Sequence, residues 1–106
     1  MLNIGLSSSG TKLTISLEGR LDTDTAPSLE RKLKEDLKGV TELIIDANKL
    51  EYISSDGLRT LLNAQKIMDK QGTLDIINVS NEVYKAFEST GFSNILNVKR
   101  RLDHDI

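Results

Sequence analysis

The chain has 106 residues, enough for one domain with one core and too few for two. Fourteen basic residues stand against sixteen acidic ones, a net charge of −2 that offers no basic footprint for nucleic acid. There is no cysteine, so disulfides, thiol catalysis and thiolate metal sites are excluded, and the single histidine, His104, stands near the end of the sequence, which speaks against a His-based triad or a multi-His metal site. The longest unbroken apolar run, Leu43-Ile44-Ile45, is far short of a membrane span. Met1-Leu2-Asn3-Ile4-Gly5 has neither the basic start nor the apolar stretch of a signal peptide. The expectation is a soluble, cytoplasmic domain covering residues 1–106, with no nucleic-acid partner, no membrane insertion and no cofactor.

Leu2, Ile4 and Leu6 alternate with other residues, and so do Leu13, Ile15 and Leu17. Period-two alternation marks strands with one buried face. Ser8-Ser9-Gly10 signals a turn between them, so the chain opens as a hairpin. Leu29, Leu33 and Leu37 then recur every four residues, which predicts a helix over 26–38. Thr25 is placed to cap it, Pro27 suits its first turn, and Gly39 can end it.

Leu43-Ile44-Ile45 reads as a short buried strand with Asp46 at its C-terminal end. A second helix is expected from Ser55, with Leu58, Leu61, Leu62, Ala64, Ile67 and Met68 as its apolar stripe and Gly72 after it. In this reading Ser55 is its N-cap, Leu58 and Leu62 face the core, and Arg59 is a rim position. Leu74 to Val79 reads as a strand, Ser80 to Ser89 as a third helix closed by Gly91, and Ile95 to Val98 as a last strand. Lys99-Arg100-Arg101 reads as a solvated tail.

The order β-β-α-β-α-β-α-β requires crossovers between parallel strands, and the hairpin adds an antiparallel pair. The fold class is therefore α/β, a mixed β-sheet with an N-terminal hairpin followed by βα repeats. Sites in such folds lie beyond the C-terminal ends of strands. Two segments qualify as loops there: Gly19 to Thr25 and Ala47 to Gly57.

Three motifs stand in this order: Gly19-Arg20-Leu21-Asp22 after the second strand, Ser54-Ser55-Asp56-Gly57-Leu58 opening the second helix, and Phe87-Glu88-Ser89-Thr90-Gly91-Phe92 near the end. Together they resemble the STAS domain of bacterial anti-sigma-factor antagonists over nearly the whole chain. The resemblance implies a single STAS-like domain and a phosphorylation switch. A serine at the start of the second helix, here Ser55, would accept phosphate from a serine-kinase anti-sigma factor. The unmodified form would bind that factor and release the sigma factor, and a PP2C-type phosphatase would reset the modified form. Asp22 matches the first-loop aspartate that lies beside the acceptor in the family.

Many family members have Asp-Ser-Ser-Gly or Asp-Ser-Thr-Gly at this point, whereas this chain has Ser54-Ser55-Asp56-Gly57. Asp56 would repel a phosphate on Ser55, and Ser54 becomes a rival acceptor. The partner-contacting set expected from the motif is Asp22, Ser54, Asp56, Gly57 and Arg59. Tyr52 and Ile53 are expected to wedge their loop onto the core, with an exposed Tyr52 suiting an interface.

Other readings differ in class. Asp22-Thr23-Asp24-Thr25 matches the nucleophile motif of haloacid-dehalogenase-type phosphatases, but Leu17-Glu18-Gly19-Arg20 before it is not a buried apolar run. A receiver domain would use an aspartate placed like Asp46, but it opens with an acidic pair rather than a hairpin. A non-switching STAS module keeps the fold and makes Ser55 structural only; it would serve as a stress-complex scaffold or as a cytoplasmic subunit of a lipid-transport ATPase. In the switch reading the chain is not an enzyme, and ATP belongs to the kinase.

Overall fold

The computed structural model describes residues 1–101. His104 lies outside the described residues. Strand β1 (Leu2–Ser9) and strand β2 (Lys12–Leu21) form the expected hairpin, with Ser9 opposite Lys12 and a two-residue turn whose first position, Gly10, has φ 62°. Helix α1 (Ala26–Asp36), strand β3 (Glu42–Ile53), helix α2 (Ser55–Met68), strand β4 (Thr73–Val79) and helix α3 (Asn81–Ser89) follow. A 3₁₀ turn (Phe92–Asn94) and a short strand β5 (Val98–Arg100) complete the order.

The sheet runs β1-β2-β3-β4-β5, with β1 antiparallel to β2 and all other pairs parallel. Leu13, Ile15, Leu43, Ile45, Leu74 and Ile76 stand in matched register on one face and are buried. Crossovers of one hand between successive neighbouring strands put every helix on that face. Leu29 and Leu33 of α1, Leu58, Leu61 and Met68 of α2, and Val83 and Phe87 of α3 complete the core from the helix side. On the other face Thr14, Ile44, Asp46, Asp75 and Ile77 stay half-buried, so the fold has two layers.

Four local readings are corrected. β3 is twelve residues long and extends to Ile53, so most of the segment expected as a loop from Ala47 is strand. Its pairing with β2 shifts register twice, between Ser16 and Glu18 and between Gly19 and Arg20, because β3 carries extra residues there. The bulges space its buried residues as Ala47, Leu50 and Ile53, which hides the period-two signal. Asp46 accordingly lies within the strand, not at its end; its Oδ1 accepts hydrogen bonds from Asn48 N–H (2.9 Å) and Asn78 Nδ2 (3.2 Å).

The other three are smaller. Helix α1 ends at Asp36, two residues short of the expected end, and Gly39 takes φ 81° beyond it. The last strand begins at Val98 because the 3₁₀ turn occupies the preceding segment; Lys99 and Arg100 are part of β5, exposed at its edge, rather than a tail. On α2 the buried partner of Leu58 is Leu61, while Leu62 is only half-buried.

Candidate functional site

β2 and β3 end side by side, and each leads into the start of a helix. Ser54 N–H donates to the Leu21 carbonyl at 2.9 Å, which ties the two strand ends together. The two motifs that stand far apart in sequence are therefore neighbours in space.

The serine pair divides its work. Ser54 is the N-cap of α2, in extended backbone (φ −96°, ψ 176°), and its hydroxyl accepts a 3.2 Å hydrogen bond from Gly57 N–H. This is the geometry of a side-chain cap. Ser55 was expected to be the cap; it is instead the first helical residue, and it is exposed. Gly57 is buried: a Cβ there would lie 2.8 Å from both Leu21 Cγ and the Leu21 carbonyl oxygen, and 2.9 Å from Ile53 Cγ1. Absence of a side chain at 57 lets the first turn of α2 sit on the strand ends.

Asp56 carries two contacts. Its Oδ2 accepts from the Thr23 hydroxyl at 2.8 Å, and its Oδ1 pairs with Arg59 Nη1 at 2.9 Å. Arg59 is mostly exposed. Thr23 thus joins the site although it belongs to neither family motif, because nothing in its local sequence points across thirty-three positions to Asp56.

Asp22 folds its own loop. Its Oδ1 accepts from Asp24 N–H (3.0 Å) and Thr25 N–H (3.1 Å), and its carbonyl accepts from Ala26 N–H at 2.8 Å. The Thr25 backbone hydrogen bond is the main cause that holds the Asp22 carboxyl below its ordinary pKa; the Thr25 hydroxyl, Asp24 N–H and Arg20 act in the same direction. Thr25, expected to cap α1, makes no side-chain cap; its hydroxyl donates to the Arg20 carbonyl at 2.8 Å and accepts from Asp22 N–H at 2.9 Å. The side chain that joins the two motifs is Thr23, while Asp22 shapes the loop that presents it.

Two further features border the serine. Arg20 stacks over the Tyr52 ring at 4.2 Å and lies 3.7 Å from Asp22 Oδ2. Tyr52 is 41 % exposed and Ile53 is buried, so only Ile53 wedges into the core. Between α1 and α2 runs an open groove of about 420 Å³ floored by Ala26 and Pro27 and walled by Glu30, Asp56, Arg59 and Asn63. The arrangement presents an exposed hydroxyl at a helix N-terminus, flanked by one carboxylate and one guanidinium. Among the described residues no cluster of three or more His, Cys, Asp or Glu is placed to hold a metal ion, and no helix is long and apolar enough to cross a membrane.

A five-stranded mixed sheet with three helices on one face and this pair of motifs at its strand ends is the STAS arrangement, and residues 4–97 match the family model described as Mlab, STAS domain. The chain belongs to the STAS-domain family of anti-sigma-factor antagonists. It is 35 % identical over 88 residues to BtrV of Bordetella bronchiseptica, named as an anti-sigma factor antagonist, covering 81 % of this chain and 76 % of that one. Its backbone superposes on the crystal structure of an anti-sigma factor antagonist from Mycobacterium paratuberculosis with a TM-score of 0.84 at 20 % identity, over 97 % of this chain and 89 % of that one. The Bacillus cell-fate determinant SpoIIAA in its phosphorylated form superposes with a TM-score of 0.72 at 20 % identity, over 91 % and 90 % of the two chains.

Proposed function

We propose that this chain is an anti-sigma-factor antagonist that binds a serine-kinase anti-sigma factor and is switched off by phosphorylation of Ser55. The observation that carries the reading is the exposure of Ser55 at the first position of α2, beside a Ser54 whose hydroxyl already caps the helix. This difference favours Ser55 over Ser54 as acceptor: a kinase can reach it without breaking the cap.

A phosphate at Ser55 meets unpaired N–H groups and the positive end of the α2 dipole, so the domain has no need to refold around it. The effect falls on the partner. A phosphoryl group adds about −1.5 to −2 charges, and within a contact surface it brings repulsion and desolvation cost. A hundredfold loss of affinity requires only about 2.8 kcal/mol. The contact surface in this reading comprises Ser54, Ser55, Asp56 and Arg59, with Asp22 shaping the adjoining loop and Gly57 letting the helix approach it. The chain itself is a binding partner and kinase substrate, not an enzyme; it needs no cofactor, and a PP2C-type phosphatase restores the unmodified form in the cytoplasm.

A second reading, a non-switching STAS binding module, draws on Asp56. That residue already places a carboxylate beside Ser55 and engages Arg59. Phosphosite mapping on protein from its native cells, with binding of the recovered kinase-type partner by both forms, separates the two. Phosphate on Ser55 that varies with growth condition and weakens partner binding at least about a hundredfold supports the switch. A chain unmodified in all conditions, or one whose phosphorylated form binds equally well, favours the static module.

A further inference from the structure

The two edges of the sheet differ. β5 is three residues long and carries exposed Lys99 and Arg100, a short basic edge of the kind that discourages strand pairing. β1 is eight residues long and contains no proline and no charged residue. Its register with β2 runs unbroken from Leu2 opposite Gly19 to Ser9 opposite Lys12. None of the usual protections of an edge strand is present in it.

The hydrogen-bond phase of that strand follows from one contact. Arg20 N–H donates to the Met1 carbonyl at 3.0 Å, so Met1 and Arg20 form a hydrogen-bonded pair. Alternation along an antiparallel ladder then commits Asn3, Gly5, Ser7 and Ser9 to β2. It turns the N–H and C=O groups of Leu2, Ile4, Leu6 and Ser8 away from β2, toward the free edge. The same residues carry the apolar side chains: Leu6 is 43 % exposed, and Leu2 and Ile4 are half-buried at the margin of the core. Among the described residues, β2 is the one strand paired with β1.

We propose that this edge binds a second copy of the same chain, β1 antiparallel to β1, so that two sheets join into one continuous sheet. An antiparallel strand facing its own copy is related to it by a twofold axis, and the surface must complement itself. β1 does. The outward residues meet each other when Leu2 faces the second copy's Ser8 and Ile4 faces its Leu6, with the axis passing between the two copies of Gly5. All four outward residues of each strand are then paired, giving about eight backbone hydrogen bonds. Leu6 is covered by the facing Ile4 on the helix side of the sheet, and the glycines meet on the axis without side chains to separate them. With no charge in either strand, no like-charged pair opposes the contact. A contact one strand wide falls short of the roughly 1,200–2,000 Å² of a standard stable interface, so the dimer is reversible.

The chain lacks cysteine, so a single introduced thiol reports the register directly. Gly5→Cys places the two thiols in a non-hydrogen-bonded pair with Cα atoms about 4.5 Å apart, within the disulfide range. The added Cβ meets Ser16 Cβ at 3.6 Å, an ordinary contact, so the fold accepts it. Ser9→Cys is the control, since in this register the two Ser9 positions lie at opposite ends of the paired strands. Under mild oxidation Gly5→Cys is expected to form a cross-linked dimer at least about tenfold faster than Ser9→Cys. Sedimentation of the unaltered chain is expected to show a monomer–dimer equilibrium. Leu6→Pro removes an outward N–H and leaves the β1–β2 ladder intact, and it is expected to raise the dissociation constant at least about tenfold. The proposal is overturned by a chain that stays monomeric to millimolar concentration, by cross-linking of Gly5→Cys no faster than of Ser9→Cys, or by a dimer that Leu6→Pro leaves unchanged in a folded chain. A monomer that instead takes an extended peptide along β1 overturns it as well.

Discussion

The Thr23 hydroxyl donates a 2.8 Å hydrogen bond to Asp56 Oδ2, and so joins the segment before α1 to the first turn of α2. Because the bond is exposed, its net contribution to stability is modest, in the range of about 0.5–1.5 kcal/mol. Thr23→Val is expected to lower the unfolding free energy by an amount at the low end of that range. In a double-mutant cycle with Asp56→Ala, chemical denaturation should give a coupling of the same size. Additive single effects would mean that the two loops are held by their backbones alone.

The two serines should separate stability from modification. Ser54→Ala removes a cap and is expected to destabilise the protein by about 1 kcal/mol. Ser55→Ala changes an exposed position and should stay within about 0.5 kcal/mol of the parent. In the proposed switch, Ser55→Ala also abolishes phosphate incorporation by the kinase, while Ser54→Ala retains it. Urea titrations and a radiolabelled phosphate assay on the same three proteins test both halves.

At Gly57 two effects oppose each other. Alanine is favoured over glycine within a helix by about 1 kcal/mol. Here its Cβ would press on Leu21 Cγ and the Leu21 carbonyl oxygen at 2.8 Å, and overpacking costs about 1–3 kcal/mol. One of the contacts is backbone, which cannot swing aside, so the clash is expected to win. Gly57→Ala should lower Tm, and a rise in Tm would show that α2 can lift off the strand ends.

Asp22 gives the acid limb of stability a defined sign. Its folded pKa lies below the ordinary value of 3.8. A depressed carboxyl contributes stability that is complete above the unfolded pKa and is lost as pH falls through the folded one. Asp22→Asn should therefore flatten the fall in stability below about pH 4 and leave its slope near neutrality unchanged. NMR titration of the Asp22 carboxyl should place its midpoint below those of exposed aspartates; a midpoint at or above them contradicts the hydrogen-bonded loop.

Arg59 stands four residues after Ser55, one helical turn along the same face, and now pairs with Asp56. In the proposed phosphorylated form the dianion competes with that carboxylate for the guanidinium. Arg59→Gln is then expected to raise the second pKa of the phosphate, read by phosphorus NMR. An identical pKa in the two proteins would mean that Arg59 stays with Asp56.

The helices were legible because each buries a stripe at helical spacing, as Leu29 and Leu33 do in α1 and Leu58 and Leu61 do in α2. β1 and β2 were legible through alternation, and β4 through its apolar residues Leu74, Ile76, Ile77 and Val79. The second half of β3 was not, because two bulges convert its buried positions to a spacing of three, and β5 was displaced by a 3₁₀ turn that no local signal marks. The meeting of the two motif segments was legible, since both follow strands that the crossover order makes neighbours. Which serine caps α2 was not: both positions carry the same capping side chain, and the choice is made by the extended backbone at Ser54, the residue after β3. The Thr23–Asp56 bond was invisible because it arises from the meeting of two strand ends rather than from either segment.

Ser55 is exposed while the cap beneath it is supplied by its neighbour, and this separates message from matter. In the proposed phosphorylated form the added charge at position 55 alters what the surface says and changes the energy of the fold only by the worth of an anion at an exposed helix N-terminus, about 0.3–1 kcal/mol. The two charge states should then melt within a few degrees of each other yet part on isoelectric focusing. Quality-control proteases, which sample unfolded chains, would see nearly one population, so under the proposed switch the supply of the protein can be set with little reference to its modification.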